Sequence, residues 1–170
     1  PAGVFGLVEG VVKIEFAVAG ATYRIASMRQ PGYWTGEAAA FRLGNRLATI
    51  RIASSSYLLH LPLAEFEQMI VNPAYCRCFA VLTVEHLEEA ITVLANMMAG
   101  TTESRVAARL VVMAHTNGFF ASADLPITQS ELAEMCALSR QTVQQVLRDL
   151  EIRGLVTVRY GRIEIADVGA

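Results

Sequence analysis

The pattern of apolar and polar residues changes its period about a third of the way along the chain. Up to about residue 61, short apolar runs are separated by Gly, Pro and Ser, a spacing typical of an all-β roll or barrel. This pattern predicts five strands, over Val4–Val8, Val11–Val18, Thr22–Met28, Ala48–Ala53 and Tyr57–Leu61. Pro62 ends the last strand, and a short helix is predicted over Leu63–Val71.

A long helix is predicted from Tyr75 to Ala99, where the apolar period becomes helical. One stripe of this helix has heptad-like spacing and consists of Leu87, Ile91, Leu94 and Met98. Such a stripe fits either a helix packed on its own β-domain or the seam between two helices of a dimer. Because residues 79–84 add further apolar side chains, the helix carries more apolar surface than one contact could cover. We therefore favour a homodimer through this helix.

Gly100 and Thr101 predict a helix stop and a new N-cap, so we expect the chain to hinge there. A further helix is predicted over Val106–Ala114, ended by Asn117 and Gly118. These boundaries divide the chain into a β-roll of residues 1–74, a helix and hinge of residues 75–100, and a C-terminal domain of residues 101–170.

Residues 127–167 carry a helix-turn-helix pattern followed by a hairpin pattern. Thr128 and Glu131 have the spacing of a capping box, which satisfies early N–H groups at a helix start. The inward side chains of that first helix are Leu132, Ala133 and Cys136. Ala137 and Leu138 form a tight turn, and Ser139 caps the next helix. The buried stripe of the second helix is Val143, Val146, Leu147 and Leu150.

The opposite face of the second helix has the chemistry of a major-groove reader. It presents Arg140, Gln141, Gln144, Gln145 and Arg148. Arginine can donate two hydrogen bonds to guanine, and glutamine can pair with adenine. Ser139 and the positive end of the helix favour a phosphate. Any one of these residues also fits an ordinary solvated helix face.

Two strands are predicted around Tyr160 and Gly161, over Leu155–Arg159 and Arg162–Ala166. Such a hairpin would hold Arg159 and Arg162 as a wing beside a DNA backbone. The capping box, the turn, the two buried stripes and this hairpin together predict a winged helix-turn-helix.

Composition and charge narrow the class of protein. The 170 residues are 54% hydrophobic and carry a net charge of −2, so no global basic field points to nucleic acid. Between Arg140 and Arg162, however, five arginines face only Asp149 and Glu151. The longest stretch without Asp, Glu, Lys or Arg has 14 residues, too few for a membrane-spanning helix. Three cysteines in no disulfide or zinc spacing favour a reduced, cytoplasmic setting.

The C-terminal segments ITQSELA (127–133), LSRQTV (138–143), LRDLE (147–151) and GLV (154–156) resemble the DNA-binding signature of one family. It is the catabolite-activator/FNR (Crp/Fnr) family of bacterial transcription regulators, and the resemblance covers essentially the whole chain. In that family, residues at the positions of Arg140, Gln141, Gln144 and Gln145 read bases, and the Ser139 position supports a backbone contact. Ala137 departs from the usual glycine of the turn; a left-handed alanine is strained by roughly 1 kcal/mol.

The β-half resembles the family's cyclic-nucleotide cassette. Gly36-Glu37-Ala38 and Arg46-Leu47-Ala48-Thr49 match its Gly-Glu and Arg-Ser/Thr-Ala segments, which flank a short helical turn. In the family the Glu accepts a ribose hydroxyl, while the Arg and backbone N–H groups hold the cyclic phosphate. Leu47 replaces the usual hydroxyl, and Ala90 and Ile91 stand where polar residues would meet the base.

The resemblance implies an α+β protein with a β-roll sensor, a dimerisation helix and a winged helix-turn-helix. Its implied partners are double-stranded DNA, a second copy of the chain and RNA polymerase. A cyclic-AMP-like effector at Gly36, Glu37, Arg46, Leu47 and Ala48 is one expectation. The alternatives are another effector, none at all, or a protein-interaction module, with Glu37 and Arg46 forming a structural ion pair. Since family sensors begin with more strand, we expect part of the roll to precede residue 1.

The main alternative from a different functional class is an enzyme. A metal-dependent β-barrel enzyme needs a histidine pair with a carboxylate, whereas the predicted roll contains only His60. No nucleophile elbow, Walker loop or dinucleotide fingerprint occurs in the sequence. His60, His86 and His115 are expected to be isolated packing or surface residues. The sequence therefore predicts no catalytic activity and no metal site.

Overall fold

Strands and short helices alternate in the first part of the computed structural model, which describes residues 2–18, 22–98, 100–119 and 121–168. The order of elements is β1 (Gly3–Glu9), β2 (Val12–Val18), β3 (Thr22–Arg29), β4 (Trp34–Thr35), α1 (Glu37–Arg42), β5 (Ala48–Ile52), β6 (Tyr57–Pro62) and α2 (Leu63–Met69). The five strands predicted from the sequence are confirmed to within one or two residues. The pattern missed β4, whose two residues are too short to show a period.

Helices dominate the second part of the chain. The elements are α3 (Pro73–Met98), α4 (Thr102–Thr116), β7 (Ala123–Leu125), α5 (Gln129–Met135), α6 (Arg140–Ile152), β8 (Val156–Arg159) and β9 (Arg162–Ile165). The long helix predicted to Ala99 is present as far as Met98, and Ala99 itself lies outside the described residues. Helix α4 begins four residues earlier than predicted, because the Thr101 hydroxyl accepts a hydrogen bond from the Ser104 amide and caps it. The fold is α+β, as predicted.

The roll consists of two three-stranded antiparallel sheets. One has the strand order β4-β1-β6 and the other has the order β3-β2-β5. Ile14 of β2 lies opposite Ser27 of β3 and Ile50 of β5. Apart from Ile25 and Met28 of β3, the buried apolar residues of the roll form two small clusters, one around Leu7, Val12 and Ile14 and one around Val4, Ala40 and Phe66.

Helix α3 packs on the roll with one face only. Its Phe79 ring meets the Phe66 ring edge-on, with the centroids 5.0 Å apart. None of the described residues of the helix is fully buried. The opposite face carries a stripe at heptad spacing that is between 51% and 81% exposed; its members are Val84, Leu87, Ile91, Leu94 and Met98. No helix in the described part of the chain is both long and apolar enough to cross a bilayer.

The largest buried cluster lies in the C-terminal part and extends into the roll. It contains α4, α5, α6 and the β7–β9 sheet, together with Ile25 and Met28 of β3. The Ile25 amide donates a hydrogen bond to Glu134 Oε1 of α5 at 2.8 Å. Lys13 Nζ lies 2.6 Å from Glu131 Oε1. Strands β2 and β3 are therefore attached to the first helix of the helix-turn-helix, while the division at residues 74 and 100 stays a prediction.

Asn117, the residue that ends α4, forms a second connection between the roll and the C-terminal part. Its Oδ1 accepts a hydrogen bond from the Gln30 amide at 2.9 Å. Its Nδ2 donates to the Met113 carbonyl at 2.7 Å and to the Met28 carbonyl at 3.3 Å. One amide side chain thus bonds to the end of β3 and to the end of α4.

Asn117→Ala is expected to lower the free energy of unfolding by about 1–3 kcal/mol, because it leaves part-buried backbone groups without a partner. Urea denaturation measures the loss, and hydrogen exchange at the Gln30 amide reports on the contact itself. Asn45→Ala is the matched control, since Asn45 is an exposed residue in the loop between α1 and β5. Equal losses in the two variants, or unchanged exchange at Gln30, would contradict the role given to Asn117.

Candidate nucleic-acid interface and ligand cavity

Helix α5 begins with the capping box that the sequence predicts. Thr128 Oγ1 accepts from the Glu131 amide at 3.2 Å, and Glu131 Oε2 accepts from the Thr128 amide at 2.8 Å. Burial alone would raise the pKa of the Glu131 carboxyl, but hydrogen bonds from Lys13 and Thr128 together outweigh it and lower the pKa. The carboxylate therefore holds the start of α5 and an ion pair to the roll at once.

The turn between α5 and α6 has the strained backbone expected from its sequence. Ala137 has a φ of 51°, in the left-handed region that favours glycine. The Leu138 amide donates to the Ala133 carbonyl at 2.9 Å and closes the turn. Ser139 Oγ then accepts from the Thr142 amide at 3.0 Å and caps α6.

Helix α6 has the two faces that the sequence predicts. The stripe Val143, Val146, Leu147 and Leu150 is buried. All five candidate base-reading side chains are exposed: Arg140, Gln141, Gln144, Gln145 and Arg148. Gln145 Nε2 donates to Asp149 Oδ1 at 3.0 Å, so this amide already has a partner on the helix surface. The face is open to a ligand as large as a duplex, and its contacts with bases stay a prediction.

The hairpin after α6 is the edge of a three-stranded sheet with the order β7-β9-β8. Its two candidate phosphate-contacting residues, Arg159 and Arg162, lie directly opposite each other. Arg159 forms an ion pair with Glu164 at 2.6 Å and Arg162 forms one with Asp124 at 2.9 Å. Tyr160 at the tip is fully exposed. The wing arginines are therefore at the surface, each with an acidic neighbour.

A cavity of about 900 Å³ lies between the roll, α3 and the C-terminal part. All five predicted effector-binding residues line it: Gly36, Glu37, Arg46, Leu47 and Ala48. The structure thus brings the two halves of the cassette, ten residues apart, to one cavity of the size of a small-molecule site. Their role in binding stays a prediction.

Gly36 occupies a position that only glycine fits. Its φ is 104°, and a Cβ there would lie 2.6 Å from the Gly3 carbonyl oxygen. This close approach places β1 beside the start of α1. The glycine therefore shapes the wall of the cavity.

Glu37 is 2% exposed and faces His86 of α3. Its Oε1 lies 2.9 Å from His86 Nδ1, and its Oε2 has no hydrogen-bond partner among the described residues. The expectation that His86 is isolated is wrong, since the helix places it against this carboxylate. The contact seen for Glu37 is with His86, in place of the loop pair with Arg46 that was one reading of the sequence.

Arg46 lines the cavity with part of its guanidinium already engaged. Its Nη2 donates to the Gly3 carbonyl at 2.7 Å, and its Cζ lies 4.6 Å from the centre of the Phe5 ring. Burial lowers the pKa of Arg46, although an arginine stays charged at neutral pH. Its neighbour Leu47 is 74% exposed at the rim.

Helix α3 lines the cavity with Ala90, as expected, but not with Ile91. Its lining residues are His86, Glu89, Ala90, Val93 and Met97. Ile91, predicted to face the ligand together with Ala90, is instead on the exposed heptad stripe. The reason is geometric, because one residue along a helix is a rotation of about 100°.

The lining residues that the sequence analysis missed include Arg29, Tyr33 and Arg109. Arg29 is in register with the inward-facing Ile25 and Ser27 of β3, and Arg109 interrupts the apolar stripe Val106, Leu110, Met113 of α4. A charged residue at a position where the pattern predicts a buried one is the sequence signal that could have identified Arg29 and Arg109. Arg29 lies over the Tyr33 ring at 4.7 Å, and burial raises the pKa of the Tyr33 hydroxyl.

The described residues contain no group of three or more His, Cys, Asp or Glu side chains that could hold a metal ion. Cys76, Cys78 and Cys136 are all free thiols.

Residues 104–170 match the family model of the Crp-like helix-turn-helix domain. No curated protein was found to match the chain in sequence.

The whole chain resembles solved structures of Crp/Fnr transcription regulators. FixK2 from Bradyrhizobium japonicum is 18% identical, with a TM-score of 0.80, over 99% of this chain and 84% of that one. A CRP/FNR-family regulator from Thermus thermophilus is 24% identical, with a TM-score of 0.71, over 98% and 84%. The c-di-GMP-responsive regulator CLP from Xanthomonas campestris is 18% identical, with a TM-score of 0.72, over 97% and 85%.

Ala137→Gly is expected to raise the free energy of unfolding by up to about 1 kcal/mol, because glycine adopts a positive φ without the strain of a Cβ. Urea denaturation of the two proteins measures the difference. Ala133→Gly, the same change inside α5, is the matched control and is expected to cost about 1 kcal/mol. A loss of stability in both variants would show that the turn carries no such strain.

Proposed function

Because residues 104–170 form a Crp-like helix-turn-helix domain on a chain with the fold of Crp/Fnr regulators, we propose that this protein is a sequence-specific, DNA-binding transcription regulator. It binds a near-palindromic site as a homodimer and is controlled by an effector in the cavity beside the roll. Contact with RNA polymerase stays a prediction.

The observation that carries the proposal is the exposed face of α6. A buried apolar stripe fixes this helix on its scaffold, while arginine and glutamine side chains project from its N-terminal half into solvent. An α-helix fits the major groove, where Arg140 can bond bidentately to a guanine and Gln141 or Gln144 to an adenine. To bind a base, Gln145 would first have to give up its hydrogen bond to Asp149.

Phosphate contacts would set the position of α6 on the duplex. The N-terminus of the helix, where Ser139 is the cap, favours an anion through its unpaired N–H groups. Arg159 and Arg162 extend this positive surface along the wing, and a phosphate would compete with Glu164 and Asp124 for them.

The heptad stripe of α3 supports a homodimer as the assembly. Val84, Leu87, Ile91, Leu94 and Met98 are exposed and repeat at a/d spacing over about 21 Å of helix. A second copy of the same helix presents the same stripe, so a parallel pair buries both. Two recognition helices related by this axis would read half-sites about 34 Å apart, on one side of the duplex.

The cavity supports control by a small molecule. It is bounded by Gly36 and Glu37 of the roll, by His86 and Ala90 of α3, and by residues of the helix-turn-helix itself, among them Leu138. The unpartnered Oε2 of Glu37 can accept a hydroxyl hydrogen bond, as from a ribose. A bound effector changes DNA affinity only to the extent that it binds the two states of the dimer differently.

The site that the protein reads is found by selecting binding sequences from a random double-stranded library and measuring affinity for the enriched site by fluorescence polarisation. No enrichment of any sequence, with the protein folded and dimeric, would overturn the proposed function.

Arg140→Ala is expected to weaken binding to the enriched site by roughly 1–3 kcal/mol per half-site and to relax the preference at one base position of each half-site. Polarisation against single-base variants of the site measures both effects. Arg153→Ala is the control, because Arg153 is also exposed but lies at the far end of α6, where it pairs with Glu103 at 2.5 Å. Equal losses for the two variants would refute the groove assignment.

Arg159→Ala is expected to weaken binding to all sequences alike and to reduce the salt slope of affinity by about 2, since the homodimer loses one phosphate contact per subunit. The measurement is a salt titration of polarisation with the enriched site and with a scrambled one. A loss confined to the enriched site would contradict a backbone contact.

Leu94→Glu is expected to raise the dimer dissociation constant at least about 100-fold, because two leucine side chains leave the seam and two like charges enter it. Sedimentation equilibrium measures the change. Val71→Glu is the matched control, since Val71 is an exposed apolar residue outside the stripe. Similar dissociation constants for the two variants would place the dimer contact elsewhere.

A further inference from the structure

Two arginines from distant parts of the sequence are buried at the cavity, close enough to interact electrostatically. Arg29 of β3 is 5% exposed and Arg109 of α4 is 6% exposed. The Nε of each is buried and has no hydrogen-bond partner among the described residues. Buried polar groups are normally paired, and leaving a charged one unpaired is costly. Both side chains line the same cavity.

The negative charge near Arg29 and Arg109 does not balance the two positive charges of these side chains. Glu89 of α3 forms an ion pair with Arg29 and interacts electrostatically with Arg109. The thiol of Cys136 is the other neighbour of Arg109, but burial raises its pKa to about 11, so it stays neutral at pH 7. Burial lowers the pKa of Arg109, yet a guanidinium still stays protonated. Two cations therefore share one carboxylate.

The cavity lining as a whole also carries more positive than negative charge. The residues around the cavity include five arginines and three glutamates, and most of the remaining ones are apolar. Glu37 faces His86, Glu89 pairs with Arg29, and Glu134 accepts from the Ile25 amide, so each carboxylate already has a partner. A ligand that complements this cavity has an apolar body and a negative charge.

We propose that the cavity binds an organic anion whose carboxylate or phosphate lies between Arg29 and Arg109. This inference rests on the effector cavity of the proposed function and names the class of ligand and the residues that hold its charge. They are distinct from the Glu37 and Arg46 cassette. The anion supplies the missing counter-charge and accepts hydrogen bonds from both guanidinium groups.

The two arginines belong to different parts of the chain. Arg29 ends the strand that packs on the helix-turn-helix, and Arg109 lies in the helix that precedes it. The cavity wall continues into Met135, Ala137 and Leu138, at the end of α5 and in the turn before α6. An anion bridging Arg29 and Arg109 therefore joins the roll to the DNA-binding domain directly.

The test uses 8-anilinonaphthalene-1-sulfonate, a fluorescent apolar anion, and N-phenyl-1-naphthylamine, which lacks the charge. Arg109→Gln and Arg29→Gln are expected to weaken binding of the anionic dye at least tenfold each and to leave the neutral dye unaffected. Arg42→Gln is the matched control, because Arg42 lines the same cavity but is exposed. It should change the affinity for the anionic dye less than threefold.

Competition on the wild-type protein needs no variant. We expect 1-naphthoate or 1-naphthyl phosphate to displace the anionic dye at constant ionic strength, and the stronger competitor identifies a carboxylate or a phosphate ligand. If neither displaces it, or if Arg109→Gln and Arg42→Gln have equal effects, the inference is overturned. DNA binding of the same preparation to the enriched site is a separate readout. Its loss would count against the proposed function and not against the anion site.

Discussion

The packing of β3 on the helix-turn-helix is the contact on which the rest of the arrangement depends. Ile25 and Met28 belong to the same buried cluster as the cores of α4, α5 and α6. The bonds from the Ile25 amide to Glu134 and from Lys13 to Glu131 fix the register of this contact. The cavity exists because the two parts meet here, with the roll on one side and the turn before α6 on the other.

The distribution of buried residues explains why this contact matters. The roll has two small buried clusters, whereas the C-terminal part has one large cluster. Helix α3 adds no fully buried side chain among its described residues. A β-domain with so little core of its own gains stability from its neighbours, which in the proposed dimer include α4, α5 and a second α3. Sensing and DNA reading would then be linked by packing as well as by a ligand.

Much of the fold could be predicted because its signals are local. The alternation of β1 and β2, the capping box at Thr128 and the opposed faces of α6 depend only on residues close in sequence. The two strands that were missed, β4 and β7, have two and three residues and no period. The cassette residues were identified by their resemblance to a known family, but that resemblance did not predict the contacts that they make in the structure. His86, Arg29 and Arg109 gain their significance from partners 20 to 80 residues away, which no short window along the chain brings together.

Strand β3 is the outer member of its sheet, so its far edge has no neighbouring strand among the described residues. The carboxylate of Glu134 accepts a hydrogen bond from the Ile25 amide on that edge. Unpaired strand edges are templates for adding another chain, and proteins protect them with charges or cover. Any movement that separates the roll from the DNA-binding domain uncovers this edge. In the proposed regulator, the extent and duration of opening are therefore constrained, because an uncovered strand edge can pair with another chain.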